Sequence, residues 1–315
     1  MVFSNFQIFI FILSAIILFL HALDSFSHEV KLALGRKIQT GLERFANNQY
    51  NAFFLGSLFT AIVQSSSAVI GITITLVEAK ILSLRSSLGL MIGSNVGTTF
   101  TAWMVTLKLT GIGPFFIVLG GVMSYMSGKP KVFGKAIFYF GFIFYSLYLI
   151  DLSLEPIKQA PNLKNYMLMV NTPLLALALG TLATAVVQSS SVVTGTLVVL
   201  LQQNMIPFDS AVYIMLGSNL GTTAKALLIS ARFGITAKKA AIANIVLNLS
   251  GVLLFLPFMV PFASWVSGFT QDPAKNLAIS HVIFNLSTGL PFLIFVGYYE
   301  KIVNWIYNKV DRRES

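Results

Sequence analysis

Apolar residues run almost unbroken through Phe3–Leu20, Gly111–Met126, Val132–Ile150 and Leu277–Tyr298. Those lengths suit helices that cross a bilayer rather than helices that line a soluble core. Two kinds of segment interrupt the pattern. Glu29–Ala46 and Glu155–Tyr166 are charged and amphipathic, too polar to span, and are expected to lie along the membrane surface. Two short runs are polar without being charged, Gln64-Ser65-Ser66-Ser67 and Gly93-Ser94-Asn95-Val96-Gly97-Thr98-Thr99.

Both uncharged runs return later in the chain, as Gln188-Ser189-Ser190-Ser191 and Gly217-Ser218-Asn219-Leu220-Gly221-Thr222-Thr223, each displaced by 124 positions. Laid over one another without a gap, residues 54–101 and 178–225 agree at 21 of 48 positions, which marks an internal duplication. Three expected crossings separate equivalent points of the two copies, and an odd number inverts the second copy, an arrangement suited to alternating access. The expected fold is therefore an all-α integral membrane protein with inverted repeats, each holding a re-entrant helical hairpin and a broken transmembrane helix. Residues 1–27 form a first transmembrane helix, 28–150 the first repeat, 151–303 the second, and 304–315 a cytoplasmic tail.

Composition sharpens this reading. The 315 residues are 56% hydrophobic and 10% charged, and the mean hydropathy is +0.80, which leaves no segment that reads as a soluble domain. A net charge of +10 would raise nucleic acid as a partner for a soluble chain. Here the basic residues sit in short loops, and topology explains them better. Sixteen of the 21, among them Lys31, Arg36, Lys80, Arg85, Lys135, Lys238 and Lys301, fall on one side, which the positive-inside rule makes cytoplasmic. The expected localisation is thus the cell membrane, with the N-terminus outside and the C-terminus inside. No cysteine occurs, so thiolate metal sites and cysteine nucleophiles are excluded. Paired carboxylates, a phosphate-cradling Gly-x-x-x-x-Gly-Lys and a histidine cluster are likewise missing from the pattern, and an enzyme is not expected.

Each Gln-Ser-Ser-Ser lies between two apolar arms, at the tip of a hairpin or the break of a helix. A broken helix exposes N–H groups whose dipole end favours an anion, and three hydroxyls and an amide add donors. The Gly-Ser-Asn-x-Gly-Thr-Thr run has a composition that unwinds a helix and presents oxygen ligands to a hard cation. Neither run contains a basic residue, so an oxyanion held there needs a cation beside it. Reciprocal coupling between the two ions is then symport. Lys225 follows the second run where the first copy has Thr101; it stands in for a sodium ion, touches the anion, or pairs with a carbonyl. Glu78 reads as an interface residue. Asn244, Asn248, His281 and Asn285 read as hydrogen-bonding residues between helices.

At these residues the chain resembles the type II sodium/phosphate cotransporter family, whose hallmark is paired Gln-Ser-Ser-Ser motifs, each followed by a Gly-Ser/Ala-Asn-x-Gly-Thr motif. The similarity extends over about residues 50 to 300. It implies sodium-coupled uptake of inorganic phosphate. The anion would be held by Gln64, Ser65, Ser66, Ser67, Gln188, Ser189, Ser190 and Ser191 with Asn95 and Asn219. Sodium would be held by Ser66, Asn95, Thr98, Thr99, Ser190, Asn219, Thr222 and Thr223. Lys225 is the expected modulator, since animal members tend to have threonine there. Sodium is a co-substrate rather than a cofactor, and no other cofactor is expected. The partners are then phosphate, sodium and lipid, with no nucleic acid; a homodimer fits such folds, though no dedicated interface signal stands in the chain. An exporter or carrier of another oxyanion, and an uncoupled channel or membrane receptor, are the competing readings.

Overall fold

The computed structural model describes residues 5–107, 109–158, 172–230 and 234–314, and these are almost entirely helical, with no strand among them. Helix α1 spans Asn5–Phe45. It is continuous, so the charged stretch from Glu29 extends the first apolar segment without a turn between them. At about 1.5 Å per residue it is roughly 60 Å long, about twice the hydrocarbon thickness of a bilayer.

A first set of three helices follows: α2 (Gln49–Val63), α3 (Ser66–Glu78) and α4 (Leu84–Thr106). A 3-10 turn (Leu109–Ile112) leads into α5 (Gly113–Ser124), and α6 covers Lys129–Lys158. The expected crossing over 111–126 thus begins in a 3-10 turn, and turn and helix together reach about 26 Å. Beyond residue 172 come α7 (Pro173–Val187), α8 (Ser190–Gln202) and α9 (Phe208–Ser230). Then α10 (Ile235–Phe255) runs through a 3-10 turn into α11 (Met259–Ser267), and α12 (Pro273–Ile294) and α13 (Val296–Glu314) close the chain. Most of the stretch 155–166, expected on the membrane surface, lies outside the described residues.

Among the described residues four segments are long and apolar enough to cross a membrane: Phe6–Phe45, Pro130–Ile157, Lys238–Ser267 and Pro273–Ile294. Their outer faces expose large apolar side chains such as Phe9, Ile17, Phe133, Leu253 and Trp265, which suits a lipid solvent.

The duplication seen in the sequence is matched by the backbone. The paired helices have equal lengths, 15 residues for α2 and α7, 13 for α3 and α8, 23 for α4 and α9. The left-handed positions also pair, Gln64 with Gln188 and Lys80 with Asn204. After α3, Ile81 N–H reaches Leu76 O; after α8, Met205 N–H reaches Leu200 O, both at 2.9 Å. This is a Schellman-type end closed by a left-handed residue in each copy.

One expectation is corrected here. The Gly-Ser-Asn-x-Gly-Thr-Thr runs do not break their helices: α4 continues through 93–99 and α9 through 217–223. Their glycines serve packing instead. A Cβ on Gly93 would lie 1.9 Å from Phe53 O and one on Gly97 2.5 Å from Ser57 O; the equivalents on Gly217 and Gly221 would lie 2.0 Å from Leu177 O and 2.5 Å from Thr181 O. Each long helix therefore meets the helix that ends at the glutamine, α2 or α7, backbone to backbone, a separation that only residues without a Cβ permit.

Candidate functional site

Both tetrads break their helices, and they do so in the same way. Gln64 ends α2 with φ 57 and ψ 27, and Gln188 ends α7 with φ 57 and ψ 23. The next serine is extended and caps the following helix: Ser65 Oγ accepts from Ala68 N–H at 3.3 Å and Ser189 Oγ from Val192 N–H at 3.4 Å. Asn and Ser are the favoured caps because their side chains replace a missing carbonyl. The first-turn N–H groups of Ser66 and Ser67, and of Ser190 and Ser191, have no helical carbonyl behind them.

These two helix starts face one cavity of about 50 Å³, lined by all eight tetrad residues together with Asn95, Thr222, Asn244, Ile70, Leu23 and Asp24. At ~10–15 Å³ per water, that space holds roughly three to five waters, or one small tetrahedral oxyanion. Among the described residues Asp24 is the only ionisable side chain in the lining, and it is exposed.

The first glutamine is fixed on both ends. Gln64 is 8% exposed; its Nε2 donates to Ala61 O at 2.5 Å, and its Oε1 accepts from Thr101 Oγ1 at 2.7 Å. Gln188, by contrast, is exposed. The seams behind the tetrads differ too. Thr60 Oγ1 and Ser94 Oγ are 2.8 Å apart across α2 and α4. In the second copy Ser218 Oγ turns to Met215 O, and Thr184 Oγ1 has no partner among the described residues.

The second runs supply acceptors. Thr98 and Thr99 donate to Asn95 O and Val96 O at 2.5 and 2.7 Å; Thr222 and Thr223 donate to Asn219 O and Leu220 O at 2.6 and 2.7 Å. A hydroxyl that donates to its own helix keeps lone pairs free for a cation. Only Thr222 and Asn95 of these runs border the cavity. Thr98, Thr99, Asn219 and Thr223 do not line it, and Asn219 Nδ2 donates to Met215 O at 3.0 Å within α9. Lys225 lies in α9, and its side chain is outside the described residues.

Asn244 and Asn248 matter more than the sequence suggested. Asn95 Nδ2 donates to Asn248 Oδ1 at 3.0 Å, and Asn248 Nδ2 reaches Asn244 Oδ1 at 3.2 Å and Thr222 Oγ1 at 3.5 Å. One amide on α10 thus joins α4 to α9, and its neighbour Asn244 enters the cavity wall. Their four-residue spacing was the available signal. The other pair does not bridge helices: Asn285 Nδ2 donates to His281 O within α12 at 2.9 Å, and the buried His281 ring has no partner among the described residues. Glu78 does prove an interface residue, its Oε1 accepting from Gly234 N–H at 3.1 Å at the start of α10.

These observations define an all-helical membrane protein whose polar cavity is walled by two like helix breaks. The Na+/Pi-cotransporter family pattern matches residues 18–151 and 158–271, and the chain belongs to that family. It is 32% identical over 243 residues to the "Uncharacterized protein YqeW" of Bacillus subtilis, covering 76% of this chain and 79% of that protein. It is 27% identical over 251 residues to the "Putative inorganic phosphate export protein YjbB" of Escherichia coli, covering 79% of this chain and 46% of that one. The chain therefore spans about half the length of that relative. A segment of 102 residues is 38% identical to the "Sodium-dependent phosphate transport protein 2A" of Ovis aries, covering 31% of this chain and 16% of that protein. No solved structure matches the chain.

Proposed function

We propose that the chain is a secondary active carrier that moves inorganic phosphate with sodium into the cell, working by alternating access of the cavity between the tetrads. The observation that carries this reading is the meeting of two Gln-capped helix breaks at one small cavity with no basic residue among its described lining residues. Such a site offers an anion N–H, hydroxyl and amide donors, and leaves its charge to be balanced by a cation on the acceptor oxygens. The hairpin arms of 15 and 13 residues reach roughly 22 and 20 Å, short of a hydrocarbon core of about 30 Å, which supports re-entrant hairpins in an inverted pair. Three contacts, Lys135 to Glu29, Arg85 to Glu300 and Glu78 to Gly234, join segments that the charge pattern assigns to the cytoplasmic side, which supports the orientation with the C-terminus inside.

A second reading, phosphate export, is favoured by the similarity to YjbB and differs in direction rather than in the site. One assay separates the readings. The purified chain is reconstituted in liposomes and radiolabelled phosphate is followed under inward and outward sodium gradients, with potassium or choline as controls and Gln64→Ala and Gln188→Ala beside wild type. Accumulation that follows the sodium gradient and disappears in both variants is the expected result. Phosphate flux indifferent to sodium sinks the coupling; absence of flux in either direction sinks the substrate.

A further inference from the structure

We infer that the outward face of α13 docks on anionic phospholipid headgroups, with its aromatic side chains at the edge of the hydrocarbon and two lysines on lipid phosphates. One face of this helix is held by the body of the protein. Val296, Tyr299, Val303 and Tyr307 are buried. Tyr299 donates to Ala243 O, Lys239 Nζ lies 5.2 Å from the centre of the Tyr307 ring, and Arg85 holds Glu300 at 2.8 Å. These partners stand near the starts of α10 and α4, and the apolar span that α10 opens begins at Lys238. Helix α13 therefore crosses the rim of the bundle at the level of a membrane surface.

The other face is left open. Tyr298, Ile302 and Trp305 are 68%, 45% and 63% exposed. Lys301 Nζ lies 5.5 Å from the centre of the Tyr298 ring and Lys309 Nζ 5.0 Å from that of Trp305, and neither lysine pairs with a carboxylate among the described residues. The helical register sorts the charge. Positions 312 and 313, both arginine, continue this face three and four residues beyond Lys309, whereas the acidic positions 300, 311 and 314 fall on the other side. Aromatic rings with lysines laid over them suit the boundary between acyl chains and negatively charged headgroups. The open face is also continuous with a surface that already meets lipid. Leu290 and Ile294 are exposed at the end of the spanning helix α12, and the ring of Phe295, at the junction, lies 6.5 Å from that of Tyr298. A second copy of the chain suits this face less well, because a surface with four basic positions and no acidic one is not self-complementary. The charge pattern assigns this end of the chain to the cytoplasmic side, the leaflet in which anionic lipids gather. Nothing in this inference depends on what the tetrad cavity carries.

The test uses the full-length chain with Trp305 as its only tryptophan, made by Trp103→Phe and Trp265→Phe, in phosphatidylcholine vesicles. A small fixed fraction of brominated lipid is added, either phosphatidylglycerol or phosphatidylcholine, and quenching of Trp305 fluorescence is read. Both lipids should quench. The anionic one should do so at least about twofold more strongly, since each basic residue near an anionic surface favours it roughly fivefold. Lys301→Gln combined with Lys309→Gln should bring the two lipids to equal quenching while Trp305 still meets bromine. About 1 M salt should shrink the difference with the lysines in place, so the test survives a double variant that fails to fold. Equal quenching by the two lipids at low salt overturns the inference, as does a preference that persists in the folded double variant. Trp305 quenched by aqueous iodide and by neither lipid would make this a water-facing helix. Trp305 reached by no quencher would make it a contact between copies, and either result sinks the lipid assignment.

Discussion

Gly93→Ala tests the backbone seam between α2 and α4 most directly. The added Cβ would sit 1.9 Å from Phe53 O, 2.7 Å from its carbonyl carbon and 2.9 Å from its Cα. Backbone atoms cannot rotate away as a side chain can. Reaching a tolerable C···O separation of ~3.3 Å requires the two helices to part by roughly 1.4 Å. That displacement breaks the 2.8 Å contact between Thr60 and Ser94 and stretches the one between Thr101 and Gln64. Overpacking of this kind costs about 1–3 kcal/mol and each lost hydrogen bond about 1, so a loss of roughly 2–4 kcal/mol is expected. Gly71→Ala is the contrast. Its Cβ meets nothing within 4 Å, and in the interior of α3 alanine should gain about 0.5–1 kcal/mol. Thermal unfolding of the purified chain reads the difference: Gly93→Ala should melt on the order of 5–10 °C lower, and Gly71→Ala at or above wild type. Gly217→Ala should repeat the Gly93 result. If Gly93→Ala melts with wild type, or if Gly71→Ala falls as far, the glycines are not set by close approach and the reasoning is wrong.

Thr101→Val removes the donor to the buried Oε1 of Gln64. It should cost about 1–3 kcal/mol and raise the KM for phosphate more than it lowers protein yield, as read from uptake and expression together. Ser65→Ala and Ser189→Ala each remove a helix cap with the same backbone angles; each should cost ~1 kcal/mol, and unequal losses in thermal unfolding would show that the two copies are not equivalent. Arg85→Ala breaks a pair with Glu300 whose arginine side chain is 60% exposed. The expected change is below about 1 kcal/mol, and a larger fall in melting temperature at high salt would contradict this.

The tetrads were legible in the sequence because their local chemistry decides their structure. A glutamine and serine between apolar arms end one helix and cap the next, and nothing distant is needed. The Gly-Ser-Asn-x-Gly-Thr-Thr runs were not legible in the same way. Locally Gly, Asn and Thr weaken a helix, but the approach of Phe53 and Leu177 carbonyls from another segment turns the same glycines into packing surfaces, and the threonines satisfy their own helix. The places of Asp24 and Asn244 in the cavity wall were not legible for a different reason. Neither residue lies in the duplicated segment, and their place in the cavity depends on how α1 and α10 pack beside the two helix breaks, which no spacing along the chain encodes. The four-residue interval between Asn244 and Asn248 suggested a shared face but not what that face would meet.

Gln64 and Gln188 carry a consequence for anyone who would engineer this protein. Both hold a left-handed backbone that a side chain with a Cβ adopts only at a cost of roughly 1–2 kcal/mol. Glycine would relax that strain, but at Gln64 it would also remove the amide that bonds Ala61 O and Thr101, a loss of about the same size or larger. The same exchange would strip the amide from each end of the cavity. A thermostability screen that returns glycine at either position should therefore be checked for flux before the variant is trusted.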